Sequence, residues 1–86
     1  MTVEILTPEG KVFSGEAFGV QMPGVTGSFE VLEKSAPMIA ALKQGSLKIL
    51  KDKLQGGAEN FFEIQGGFVE VLQNKVTVLV EGAKAV

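Results

Sequence analysis

Glycine and proline punctuate this chain so often that no long element can form between them. Turn chemistry recurs at Pro8-Glu9-Gly10-Lys11, Gly15, Pro23-Gly24, Lys43-Gln44-Gly45, Gly66-Gly67, Gln73-Asn74-Lys75 and Glu81-Gly82. Proline presets φ for such turns, and glycine supplies backbone angles that other residues resist. The 11 glycines fall nearly all at segment boundaries, and turn signals recur roughly every 8 to 12 residues, the spacing of a sandwich or barrel.

Between the turns, apolar residues alternate with period two. Residues 3–7 place Val3 and Ile5 on one face, 17–22 group Phe18, Val20 and Met22, and 46–51 group Leu47 and Ile49. Val12-Phe13 resumes extended structure before Gly15 relieves it, and Gly19 marks a bulge or a close backbone approach. Val76, Val78 and Val80 set β-branched side chains on one face, a strong strand signal. Residues 29–32, 61–64 and 68–72 read as further strands, and the apolar run 38–42 reads as a strand by its length. A loop carrying a hairpin is expected over 52–59, around Gly56-Gly57, and residues 83–86 have little to pack against. No window keeps a helical 3.6 period. The pattern predicts an all-β fold, a small β-sandwich or flattened barrel of roughly eight to ten short, mainly antiparallel strands. At 86 residues, a single domain over 1–86 is expected.

Residues 24–37 stand apart as a long shaped excursion. They open on glycine-rich turn chemistry, carry four strand-like residues, and close through Glu33, Lys34 and Ser35-Ala36-Pro37.

Composition excludes several chemistries. Without cysteine there is no disulfide, thiol nucleophile or thiolate metal site. Without histidine the commonest general base and metal ligand are missing. All eight basic residues are lysines, so no arginine fork can clamp a phosphate, and a net charge of -2 disfavours nucleic acid. The aromatic anchors of any interface reduce to six phenylalanines. The acids Glu4, Glu30, Glu63 and Glu70 fall singly along strands, as on a solvated face, and Asp52 reads as turn chemistry. Residues 24–27 lack the G-K-[ST] ending of a phosphate loop. The expectation is a chain that is not itself an enzyme, with no catalytic, metal or cofactor-binding residues. Neither a basic leader nor an apolar run of about 20 residues appears, so a soluble, cytoplasmic chain with no direct membrane insertion is expected.

One alternative centres on Leu32-Glu33-Lys34-Ser35, which resembles the modified-lysine turn of lipoyl and biotinyl carrier domains. The residue two before Lys34 is leucine, neither the acid nor the methionine such turns carry, and the halves show no two-fold repeat. A non-enzymatic β-sandwich adaptor is the plainer alternative.

A series of short motifs runs in order along the whole chain: Val3-Glu4-Ile5-Leu6-Thr7-Pro8-Glu9-Gly10, Val12-Phe13-Ser14-Gly15, Gly27-Ser28-Phe29-Glu30-Val31-Leu32 and Ser35-Ala36-Pro37. Gly45-Ser46-Leu47-Lys48-Ile49, Gly66-Gly67-Phe68-Val69-Glu70-Val71 and Asn74-Lys75-Val76-Thr77-Val78-Leu79 complete it. Together they resemble the N-terminal β-sandwich domain of the F-type ATP synthase epsilon subunit. Ser35 stands where that family usually has histidine, and Lys34 where it commonly has glycine or asparagine. The resemblance implies a rotor subunit of the central stalk, with partners gamma and the membrane c-ring, and through them the alpha/beta hexamer. By that resemblance it would couple proton translocation to ATP synthesis on the cytoplasmic face of the plasma membrane, peripherally, as part of F1. It implies c-ring contacts at Ser28, Glu30, Glu33 and Lys34, and gamma contacts at Ser35, Met38, Ile39 and Leu42, although plain sandwich core accounts equally well for Met38, Ile39 and Leu42. The family continues past the position of Val86 into a two-helix hairpin, so a short form without the C-terminal helical domain is expected, with neither ATPase inhibition nor ATP binding.

Overall fold

Alternation becomes architecture in a computed structural model that describes residues 1–51 and 59–86. The hairpin-bearing loop expected over 52–59, and the turn role of Asp52, lie outside the described residues, apart from Glu59 at the start of a strand. The strands run in chain order as β1 Thr2–Thr7, β2 Gly10–Glu16, β3 Gly19–Gly24, β4 Gly27–Leu32 and β5 Met38–Leu42. They continue as β6 Gly45–Leu50, β7 Glu59–Ile64, β8 Gly67–Leu72, β9 Lys75–Val80 and β10 Ala83–Ala85. Among the described residues there is no helix.

The strands form one curled sheet in the order β10-β7-β6-β3-β5-β8-β9-β1-β2, with β4 paired to β3 off that path. Strand β1 pairs parallel with β9, and every other described pairing is antiparallel. The two ends of the path approach each other, where Phe13 of β2 meets Phe62 of β7 edge to face at 5.6 Å. Such pairs add to plain area burial. The result is the expected all-β sandwich, a nearly closed flattened barrel.

The core is the inward phase of each alternation. Val3, Ile5, Val20, Met22, Leu47, Ile49, Ile64, Val69, Val76 and Val78 are fully buried. Each such side chain contributes roughly 1.5–3 kcal/mol relative to exposure. No polar side chain is buried among the described residues.

Three local expectations change. Strand β2 runs unbroken through Gly15. Strand β3 starts at Gly19 rather than at residue 17, because Ala17 turns its backbone to Met1, whose carbonyl accepts the Ala17 N–H at 2.9 Å. Gly19 is the close-approach case: a Cβ there would lie 2.7 Å from Leu32 Cδ2 and 3.1 Å from the Val31 carbonyl. The last segment does find a partner, since Ala83, Lys84 and Ala85 pair with Ile64, Glu63 and Phe62 of β7. An open strand edge recruits backbone whatever its side chains.

Candidate docking surfaces

The registers place the outward side chains of β5, β8, β9 and β1 in rows across one face. One row runs Ala41, Phe68, Leu79, Leu6; the next runs Ile39, Glu70, Thr77, Glu4. Leu72 stands opposite Lys75 at the end of the same face. Ile39 is 73% exposed, Phe68 58%, Leu79 49% and Leu72 47%. Single exposed hydrophobics are ordinary on a soluble protein, but a contiguous set on one sheet face marks an interaction surface. Two shallow clefts indent it, of about 370 Å³ by Pro37, Ile39 and Leu72 and about 400 Å³ by Leu6, Phe68 and Leu79. Charge enters this face through Glu70, in line with Ile39, and through Glu4 on its β1 side. Glu4 lies 3.3 Å from Lys11 Nζ and 3.5 Å from Lys75 Nζ. The hydrogen bond from Lys11 is the main cause holding the Glu4 carboxyl below its ordinary pKa, with the charges of both lysines adding to it and partial desolvation opposing.

The opposite face is built from β3, β4, β6 and β7 and is mixed. A row runs Glu30, Gln21, Lys48, Phe61, and Lys48 Nζ sits 5.8 Å from the Phe61 ring centroid, a cation–π distance. Beyond the β3–β4 turn, a cleft of about 500 Å³ is lined by Val25, Thr26, Ser28, Phe29, Met38 and Ala40.

The expected contact residues separate between these features. Ser28 and Glu30 share the exposed outward phase of β4, where Ser28 Oγ donates to the Met22 carbonyl at 3.3 Å. Glu33 and Lys34 lie past the other end of that strand, about 16 Å from Ser28 at strand rise. The Glu33 carboxylate accepts from the Met1 ammonium at 2.9 Å. Lys34 adopts a left-handed φ of 65°, and its N–H donates to Asn74 Oδ1 at 3.0 Å. Ser35 Oγ accepts from the Leu32 N–H and donates to the Leu32 carbonyl, closing the turn upon itself. Met38 and Leu42 share the inward phase of β5; Met38 packs against the core and Leu42 is 4% exposed within it. Ile39 faces out. Strands β4 and β5 do not pair with each other, so Lys34 is not at the tip of a hairpin, the position a carrier lysine requires.

Phe68, Leu72 and Leu79 belong to no expected contact set. Their signal lay in the residues: 68–72 reads Phe-Val-Glu-Val-Leu, apolar on both phases except at Glu70. A strand apolar on both phases is covered on both faces.

A small barrel with exposed apolar residues grouped on one outer face and a mixed row on the other has the build of a docking module. The whole chain, residues 1–86, matches the model for the ATP synthase Delta/Epsilon chain beta-sandwich domain, and it belongs to that family. It is 46% identical to the ATP synthase epsilon chain of Salinibacter ruber over 94% of this chain and 58% of that one. To the ATP synthase epsilon chain of Chlorobaculum tepidum it is 44% identical, over 93% of this chain and 88% of the relative. Its fold superposes on a chain of the Euglena gracilis mitochondrial ATP synthase (OSCP/F1/c-ring) with a TM-score of 0.85. Identity there is 19%, over 96% of this chain and 51% of that one. A chain of the Tetrahymena thermophila mitochondrial ATP synthase central stalk and c-ring gives a TM-score of 0.80 at 22% identity, covering 98% and 65%. These structural likenesses establish the fold.

Proposed function

We propose that residues 1–86 form one domain acting as an epsilon-type rotor subunit of an F1Fo ATP synthase. In this reading it is non-catalytic. It joins gamma to the membrane c-ring and so couples proton flow to ATP synthesis on the alpha/beta hexamer. It is peripheral, on the cytoplasmic side of the membrane.

The observation that carries it is the apolar face of Ile39, Phe68, Leu72 and Leu79 on a barrel of this family. A joint that bears torque needs a rigid body and two complementary surfaces, not reactive groups. The apolar face suits a permanent partner, since lasting interfaces are the more hydrophobic ones, and we assign it to gamma with Ile39 as one anchor. Ser28 and Glu30, beside the β3–β4 turn, offer the polar rim that a polar c-ring loop would meet. Glu33, Lys34 and Ser35 form a separate turn at the far end of β4, and Met38 and Leu42 support β5 from within.

The test is capture of the cognate gamma subunit by the purified chain. Wild type retains gamma, and Phe68→Glu weakens retention at least about tenfold, the loss expected on removing an interface anchor. Phe68 is largely exposed, so an unchanged melting temperature accompanies the loss. Absence of gamma capture by wild type overturns the assignment, as does equal capture by the variant. Intact mass separates the carrier alternative: a lipoyl or biotinyl increment on Lys34 would replace the rotor reading.

A further inference from the structure

Two connections 40 residues apart in sequence meet at one corner of the barrel. One is the turn 32–35 that leaves β4. The other is the β8–β9 hairpin turn, where Gln73 and Asn74 have φ of 51° and 61°, the left-handed pair of a type I′ turn. The Lys34 N–H donates to Asn74 Oδ1 at 3.0 Å, and the Asn74 carbonyl accepts the Thr2 N–H at 3.1 Å. Lys34 itself is left-handed, at φ 65°. A lysine holds such a conformation when its surroundings over-determine it. Ser35 closes the turn locally, whereas Asn74 ties it to another part of the sheet. That other part is the hairpin whose strands carry Phe68, Leu72 and Leu79 outward.

The choice of residue at position 74 is informative. Glycine is at home in a left-handed turn position and asparagine is tolerated there. Only asparagine of the two also offers a side-chain carbonyl. The backbone at 74 accepts either, while the bond to Lys34 needs the side chain.

We propose that Asn74 is a positioning residue: its side-chain carbonyl locks the turn 32–35 to the β8–β9 hairpin, so that the turn and the apolar face move as one body. The purpose of the lock rests on the docking role proposed above; the lock itself rests on the hydrogen bond and the two left-handed turns. The turn leads from β4 towards β5, the strand of Ile39, so this bond ties the entry to that strand to the hairpin that carries Phe68, Leu72 and Leu79.

Asn74→Gly and Asn74→Asp test it in the 86-residue chain. Asn74→Gly keeps the turn conformation and removes the acceptor; Asn74→Asp keeps an acceptor. Amide exchange by NMR should show the Lys34 N–H exchanging about five- to tenfold faster in Asn74→Gly, with the barrel core unchanged. Asn74→Asp should restore wild-type exchange at Lys34. Retention of the cognate gamma subunit should fall about threefold in Asn74→Gly and recover in Asn74→Asp, the scale of one lost polar contact. Unaltered Lys34 exchange in Asn74→Gly overturns the lock. Exchange accelerated throughout the core, with a lowered melting temperature, overturns it too, because the role would then be merely structural. Faster Lys34 exchange with undiminished gamma retention overturns its part in docking. Failure of wild type to retain gamma sinks the docking role, while the exchange comparison still decides the lock.

Discussion

The two outer surfaces of the barrel rest on the same kind of strand and differ in what covers their aromatic residues. On β7, Phe61 is 41% exposed and lies beneath Lys48 at 5.8 Å. On β8, Phe68 is 58% exposed and its register neighbours are Ala41 and Leu79. Lysine can shield an aromatic ring with its stem while keeping its charge in water, so the first face tolerates solvent. The second gains nothing comparable from its neighbours. The inward phases of both halves are equally apolar because any barrel needs a core, so they say little about function. The outward phase is unconstrained by the core, and there a contiguous apolar row is informative.

The contrast between inward and outward phases should break most sharply within the barrel. Leu47 is fully buried, and Leu47→Ala should cost about 3 kcal/mol. At roughly 4–8 °C per kcal/mol for a domain of this size, its melting temperature should fall by more than about 10 °C. Phe68→Ala, on the outward phase, should shift it by no more than a few degrees; matching thermal scans would mean that Phe68 belongs to the core. Between the two outer faces the difference should appear in binding instead. Phe68→Glu should weaken gamma capture at least about tenfold, whereas Lys48→Glu on the opposite face should change it less than about threefold. Equal losses from the two variants would erase the distinction between the faces.

A smaller effect sharpens the account of the turn beside them. Glu33 and Lys34 are adjacent in sequence and opposite in charge. In the fold, the Glu33 carboxylate accepts from the Met1 ammonium at 2.9 Å, and that ammonium also donates to the Ala17 carbonyl at 3.0 Å. Glu33→Gln should therefore lower stability by about 1 kcal/mol, the value of one hydrogen bond to a charged group discounted for the exposure of Glu33. Lys34→Gly should raise stability by several tenths of a kcal/mol by relieving a left-handed lysine. Opposite signs in urea titrations of the two variants would confirm that these neighbours do different work; a shared sign would not.

Strand existence was legible where period two survives: Val76, Val78 and Val80 are buried as their spacing requires. What periodicity could not show was backbone demand. Residues 83–85 carry no apolar pattern, yet they pair with β7 because its edge was open. The proposed docking surface was less legible. Ser28 and Lys34 are six positions apart in sequence but stand at opposite ends of β4, since an extended strand separates what a helix would bring together. Met38, Ile39 and Leu42 look alike as apolar residues, and only the register with β8 sends Ile39 outward and the other two inward. Phe68 and Leu79 merge with the core signal, because hydropathy does not distinguish a residue buried by its own fold from one left for a partner. The bond between Lys34 and Asn74 joins two turns by a side chain, which no local pattern encodes.

The smallest expected effect concerns the charged margin of the apolar face. Glu4 lies between Lys11 and Lys75, and hydrogen bonding from Lys11 leads the causes that hold its carboxyl below the ordinary 4.5. A carboxyl whose pKa is lower folded than unfolded contributes stability that is present above the unfolded value. That contribution is lost as pH falls through the folded one. Wild type should therefore melt slightly above Glu4→Gln at pH 6, and the gap should close as pH drops below 4.5. Both lysines are half-exposed, so added salt at pH 6 should shrink the same gap by screening. On the apolar face itself salt should act oppositely, since excluded salts such as sulfate strengthen apolar burial. Gamma capture through Phe68 and Leu79 should hold or tighten in sulfate while the Glu4 increment disappears. A gap that persists unchanged at pH 3 and in high salt would show that Glu4 contributes through packing of its methylenes against Lys11 and Lys75 rather than through its charge.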